Sequence, residues 1–164
     1  MMLEFNNVTI GQRIRSLSAM VDDGQLLCVL GAQGTGKTTL LRAVLGFVPV
    51  DEGFICIDGE LLTPLSAPYF RRQMAYVPQH LSVPEGYDGA GLTRWPDLSA
   101  DERYLLLLTT AIRRSAPLLV VDEPPQPLKT ETETLVDNLL RDAAQHGTTV
   151  LAVNPRITSN QIQL

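Results

Sequence analysis

The chain has little with which to build a covalent framework. Its 164 residues include two cysteines, Cys28 and Cys56. Each sits in an apolar, strand-like run, with no His or second Cys at ligand spacing. Buried thiols in a reducing compartment are expected, rather than a disulfide or a metal site. Basic residues are also few: 13 Lys and Arg stand against 18 Asp and Glu, a net charge of −5. That balance gives a nucleic-acid partner no electrostatic encouragement. No apolar run approaches the ~20 residues needed to span a bilayer. The longest, "YLLLLTTAI" from Tyr104, reads as a buried helix. The opening "MMLEFNNVTI" lacks a basic region followed by an apolar stretch, so no secretory signal is expected. A soluble, cytoplasmic chain follows, still able to dock on a membrane protein.

What is present is globular. Apolar residues make up 45% and charged residues 19%, which suits one domain covering residues 1–164. "LEFNNVTI" partly alternates and reads as a strand. "QLLCVLG" is short, apolar and closed by glycine, as a strand buried on both faces should be. Residues 38–46 carry helical spacing. "VPVDEGFICIDGELL" reads as a turn, a strand, a tight Asp58-Gly59 turn and the start of another strand. "FRRQMAYVPQ" is a helix end leading into a strand that Pro78 stops. Residues 80–97, rich in Gly and Pro, read as a loop or shortened insertion. Ser99 stands three residues before Glu102, a capping box ahead of a helix. "PLLVVDEPP" is another doubly buried strand. "TETLVDNLLRDAAQHG" is an amphipathic helix with Leu135, Leu139 and Leu140 on one face and Gly147 as its stop. "TTVLAVN" closes with a buried strand. Alternating helices and apolar strands indicate an α/β fold with a mainly parallel sheet.

One motif carries chemistry by itself. Gly31-Ala32-Gln33-Gly34-Thr35-Gly36-Lys37-Thr38, with Thr39 following, matches G-x-x-x-x-G-K-[ST] between a buried strand and a helix. Its glycines let successive N–H groups converge on one phosphate, and the helix N-terminus adds its positive end. Lys37 would reach the β- and γ-phosphates, and the Thr38 hydroxyl would bind Mg²⁺. The second acidic site is "LLVVDEP". Asp122 ends an apolar strand and can hold Mg²⁺, directly or through water. Glu123 could polarise an attacking water as a general base.

In order and spacing these motifs resemble those of the ATP-binding cassette ATPases, which power membrane transporters. The resemblance covers nearly the whole chain. It implies a P-loop NTPase fold with a small antiparallel N-terminal β part and a helical insertion shortened to about residues 80–116. "RRQMAYVPQ" is similar to the family's Q-loop, which makes Gln79 the residue that touches Mg²⁺ and senses the γ-phosphate. The implied cofactors are ATP and Mg²⁺. The implied partners are a membrane permease and a second cassette, in a homodimer or heterodimer, at the inner face of the cell membrane. In the family, ATP is sandwiched between the phosphate loop of one cassette and the signature "LSGGQ" of the other.

The chain departs from that pattern in several places. The signature position reads "LSADE", Leu98 to Glu102: Ala100 and Asp101 replace two glycines. The side chain of Ala100 obstructs close backbone approach to phosphate, and two acids face an anionic ligand. The same acids favour a helix N-terminus. "DEPPQPLK" replaces "DEPTSALD", leaving Lys129 in place of an aspartate, with Pro125 and Pro127 stiffening the loop. The switch histidine aligns with Pro155. The aromatic that stacks on adenine is missing where Ile10 and Gly11 lie, so base binding should be weaker. His80 and His146 read as surface groups, and Tyr87 and Trp95 as core or loop packing. Two functions stay open: a slow ATPase that drives or regulates a permease, and a non-hydrolysing nucleotide-binding regulatory or structural module. A P-loop kinase fits the Gln79 and "DEP" contexts poorly.

Overall fold

The computed structural model describes residues 1–81, 92–124, 128–153 and 160–164, with the side chains of residues 92–94 left out. Two sheets form the frame. Strands β1 (Leu3–Ile10), β2 (Ile14–Val21), β4 (Glu52–Ile57) and β5 (Glu60–Leu61) make an antiparallel sheet in the order β2-β1-β4-β5. Strands β3 (Leu26–Leu30), β6 (Met74–Val77), β7 (Leu118–Val121), β8 (Thr149–Ala152) and β9 (Gln161–Gln163) make a parallel sheet in the order β6-β7-β8-β3-β9. The turn between β4 and β5 places Asp58 at φ 51° and Gly59 at φ 79°. A two-residue turn with both φ positive matches strand twist, which explains the Asp-Gly pair.

Among the described residues, four α-helices flank the parallel sheet: α1 (Lys37–Val44), α2 (Ala67–Arg71), α3 (Ala100–Arg113) and α4 (Thr130–Gln145). The alternation within each strand explains why both faces bury. On β7, Leu118 and Val120 join α1 and the antiparallel sheet in one apolar cluster. Leu119 and Val121 join α3 and α4 in the other. Cys28 lies in this second cluster as a free thiol. Burial, with the Asp137 carboxylate adding to it, pushes that thiol up to about 12. The capping box forms in full: Ser99 Oγ accepts from the Glu102 N–H at 3.3 Å, and Glu102 Oε2 accepts from the Ser99 N–H at 2.8 Å.

Three local readings change. Residues 80–97 are not all loop, because Leu92–Asp97 forms a 3₁₀ helix. Trp95 follows from this: the Arg103 guanidinium lies 5.6 Å from its ring centre and donates to the Trp95 carbonyl at 3.2 Å. Thus Trp95 packs within the chain, whereas Tyr87 lies outside the described residues. On α4 the buried stripe is Thr132, Val136, Leu140, Ala143 and Ala144, while Leu135 is 46% exposed. The packing angle of α4 on α3 and the sheet selects that stripe, and leucine spacing alone does not contain it. Finally, β2 and β9 are strands that the sequence pattern concealed. β2 is an edge strand, half-exposed along its length, so its apolar alternation is weak.

Candidate functional site

The C-terminal ends of the parallel strands meet at one edge, where open α/β sheets place their ligands. β3 ends at Leu30 and the chain turns through Gly31–Gly36 into α1. Gly34 takes φ 86° and Gly36 takes φ 108°. A side chain at Gly36 would also meet Ile14 at 3.2 Å. Glycine there meets two demands, a left-handed backbone and close approach of the β1–β2 hairpin. Gly36 is the N-cap of α1, and its side-chain-free start leaves the helix N–H groups open.

Lys37 is 9% exposed. Its ammonium donates to the carbonyls of Gly31 at 2.9 Å and Ala32 at 3.0 Å, and lies 3.7 Å from Glu123 Oε2. The loop is therefore wrapped around its own cation. Thr38 Oγ1 donates to Asp122 Oδ1 at 3.1 Å. Asp122, 1% exposed, also receives the Glu123 N–H on Oδ1 at 2.9 Å and the Tyr76 hydroxyl on Oδ2 at 3.4 Å. Register explains the meeting: β6 and β7 pair Val77 with Val121, and the Asp122 N–H continues the ladder to the Val77 carbonyl at 2.9 Å.

A cavity of about 430 Å³ opens beside these groups, lined by Thr38, Arg42, Tyr76, Gln79, His80 and Asp122 among others. Thr38, Gln79 and Asp122 thus line one cavity. Glu123 approaches the same phosphate loop through Lys37. His80 is exposed, as its reading as a surface group implies, and also lines this cavity. The donors along the wall are hydroxyl, amide and carboxylate oxygens, the hard set that suits Mg²⁺ when substrate phosphates complete the shell. Among the described residues no cluster of three His, Cys, Asp or Glu could hold a metal unaided. Ala32, Gln33 and Thr35 form the outer turn, where Thr35 Oγ1 donates to the Ala32 carbonyl at 3.0 Å. Thr39 follows within α1.

Three site residues have no role assigned from the sequence. Tyr76 holds Asp122, and burial followed by the Asp122 charge pushes its phenol up to about 12. Arg42 lines the same cavity from the last turn of α1. Tyr104, fully buried on α3, donates its hydroxyl to the Asp122 carbonyl at 3.3 Å. Only the strand order brings these groups together; Tyr76 stands 46 residues before Asp122 in sequence.

The signature position behaves differently. Asp101 Oδ2 accepts the Lys129 N–H at 3.0 Å. The hydrogen bond from Thr132, then the one from Lys129, holds its carboxyl below the usual range. Lys129 is the N-cap of α4 and offers no side-chain cap of its own. Asp101 therefore ties the start of α3 to the start of α4, while Glu102 closes the capping box. At the hairpin end near the phosphate loop, Ile10 is buried and pairs with Ile14. Residues 125–127 and 154–159, including Pro125, Pro127 and Pro155, lie outside the described residues.

Fold and loop together define a phosphate-loop, nucleotide-binding α/β domain. The model of the ABC transporter family matches residues 14–91. An uncharacterized ABC transporter ATP-binding protein of Haemophilus influenzae is 30% identical over 169 residues, covering 78% of this chain and 64% of that protein. An ATP-dependent lipid A-core flippase of Ralstonia nicotianae is 26% identical over 184 residues, covering 88% of this chain and 31% of the flippase. The chain thus spans about a third of the flippases it matches. In fold it is similar to a dimeric ATP-binding cassette in a post-hydrolysis state bound to ADP and Pi, with a TM-score of 0.78 at 19% identity, over 99% of this chain and 94% of that one. Over residues 14–91 the chain thus matches the ABC transporter family model, and in fold it is similar to ATP-binding cassettes.

Proposed function

We propose that this cassette binds ATP with Mg²⁺ and hydrolyses it slowly to drive or regulate a membrane permease, at the inner face of the cell membrane. The observation that carries the reading is the junction of Lys37, Thr38, Asp122 and Glu123 at one sheet edge. In this reading the glycine loop and Lys37 grip the phosphates. Thr38, Asp122 and Gln79 hold Mg²⁺, which supplies charge neutralisation on the phosphates. Glu123 orients the attacking water and accepts its proton. The permease and a second cassette are the partners the family suggests.

A second reading has its own observation. Asp101 is committed to α4 within this chain, and Ala100 blocks the approach that glycine allows. Such a face supports a non-hydrolysing regulatory or structural module that keeps its own nucleotide without covering a partner's. ATP turnover of the wild type and of Glu123→Gln separates the two. Mg²⁺-dependent turnover that the substitution lowers by ~100-fold or more supports hydrolysis. Turnover no higher in the wild type than in the variant, with or without a partner, refutes it and leaves the module reading.

A further inference from the structure

The carboxylate of Asp122 is anchored at both oxygens, and the second anchor comes from a residue of "RRQMAYVPQ" to which the sequence reading gives no role. Oδ1 accepts from Thr38 Oγ1 at 3.1 Å and from the Glu123 N–H at 2.9 Å. Both donors belong to the phosphate-loop and acidic motifs. Oδ2 accepts from the Tyr76 hydroxyl at 3.4 Å. A carboxylate fixed only at Oδ1 can rotate about its last side-chain torsion, which is broad and soft. A donor at Oδ2 fixes the plane, and with it the direction of the lone pairs left for a cation or its water shell.

We propose that Tyr76 is a positioning residue for Mg²⁺: it orients Asp122 from the neighbouring strand without touching the ion. The inference rests on the reading of Asp122 as a Mg²⁺ ligand. Tyr76 is suited to this role by its place. It lies near the end of β6, paired with Val120 two residues before Asp122. The same segment runs on through Pro78 to Gln79, which lines the same cavity. One strand thus sets the plane of one oxygen donor and delivers another. The hydroxyl is the longest of the three contacts, so it aligns the group without competing strongly for it.

The test uses Mn²⁺ as a spin probe with a non-hydrolysable ATP analogue, in wild type, Tyr76→Phe, Asp122→Asn and the double variant. Phenylalanine keeps the ring and removes only the donor. Tyr76→Phe is expected to weaken nucleotide-dependent Mn²⁺ binding about tenfold, the usual size of an outer-shell effect on metal affinity. Analogue affinity in EDTA should stay within twofold. In the Asp122→Asn background the Tyr76 effect should vanish. Mn²⁺ affinity unchanged within twofold in Tyr76→Phe overturns the inference. So does an equal loss in EDTA, which indicates packing, or a Tyr76 effect that persists without the Asp122 carboxylate. Wild-type protein that binds the analogue but shows no nucleotide-dependent Mn²⁺ overturns the Mg²⁺ reading of the site and this inference with it.

Discussion

The phosphate loop and the signature position face opposite fates in this chain. Around Lys37 the loop's own carbonyls occupy the ammonium, in the place that ligand oxygens could take, beside the cavity that Thr38, Gln79 and Asp122 line. Around Ser99 every polar group is consumed locally: Ser99 and Glu102 cap α3, and Asp101 holds Lys129 at the start of α4. The residues at the position that resembles the family's signature are thus engaged in contacts that hold helix ends together. Asp101 and Glu102 look like a hostile charge pair beside an anion. In place they are helix-terminus acids in the position that a helix dipole favours.

The largest way to break this contrast is Lys37→Ala. Two or three charge-assisted contacts to phosphate, each worth about 1.5–3 kcal/mol, disappear with it. Calorimetry should show ATP affinity reduced by ~100-fold or more, and an unchanged affinity would contradict the phosphate-loop assignment. Next is the helix tie. Asp101→Ala removes the carboxylate that accepts from the Lys129 N–H and from Thr132, and should cost about 1 kcal/mol of stability. A thermal melt should fall by about 2–4 °C for a chain of this size, with ATP affinity unaltered. Loss of ATP affinity in this variant would mean that the two regions are not separable.

An effect confined to alkaline pH comes last, since it is absent at neutral pH. The Cys28 thiol is held neutral up to about 12 in the fold against 9.0 ordinarily. Its folded value is raised, so its contribution is complete below pH 9 and is lost as pH climbs toward 12. The loss is on the order of 1 kcal/mol per pH unit in that window. Cys28→Ala should show a shallower alkaline decline in denaturant melts. An identical decline would place the alkaline sensitivity elsewhere, with the buried phenol of Tyr104 as the next group, since burial raises it too.

Much of this was legible in the sequence because local rules carried it. The glycine turn, the Asp58-Gly59 hairpin, the capping box and the apolar β3 and β7 runs each depend on neighbours a few residues away. Thr38, Asp122 and Gln79, picked out by three separate motifs, line one cavity, and Lys37 lies beside them within the phosphate loop. The rest needed topology. Tyr76 and Tyr104 reach Asp122 only because β6 and α3 pack beside β7. The tie from Asp101 to Lys129 crosses 28 residues, and no spacing rule encodes it. The buried stripe of α4 depended on its packing partner, so Leu135 fell outside and Val136 inside.

Velocity sedimentation of the chain with a fluorescent ATP analogue and Mg²⁺, using Glu123→Gln to prevent turnover, tests both halves of the contrast at once. The account predicts that nucleotide travels with the monomer, held by the phosphate loop, with no dimer closing over it. Nucleotide left unbound would contradict phosphate capture, and nucleotide travelling with a homodimer would contradict the claim that the signature position has been given over to the fold.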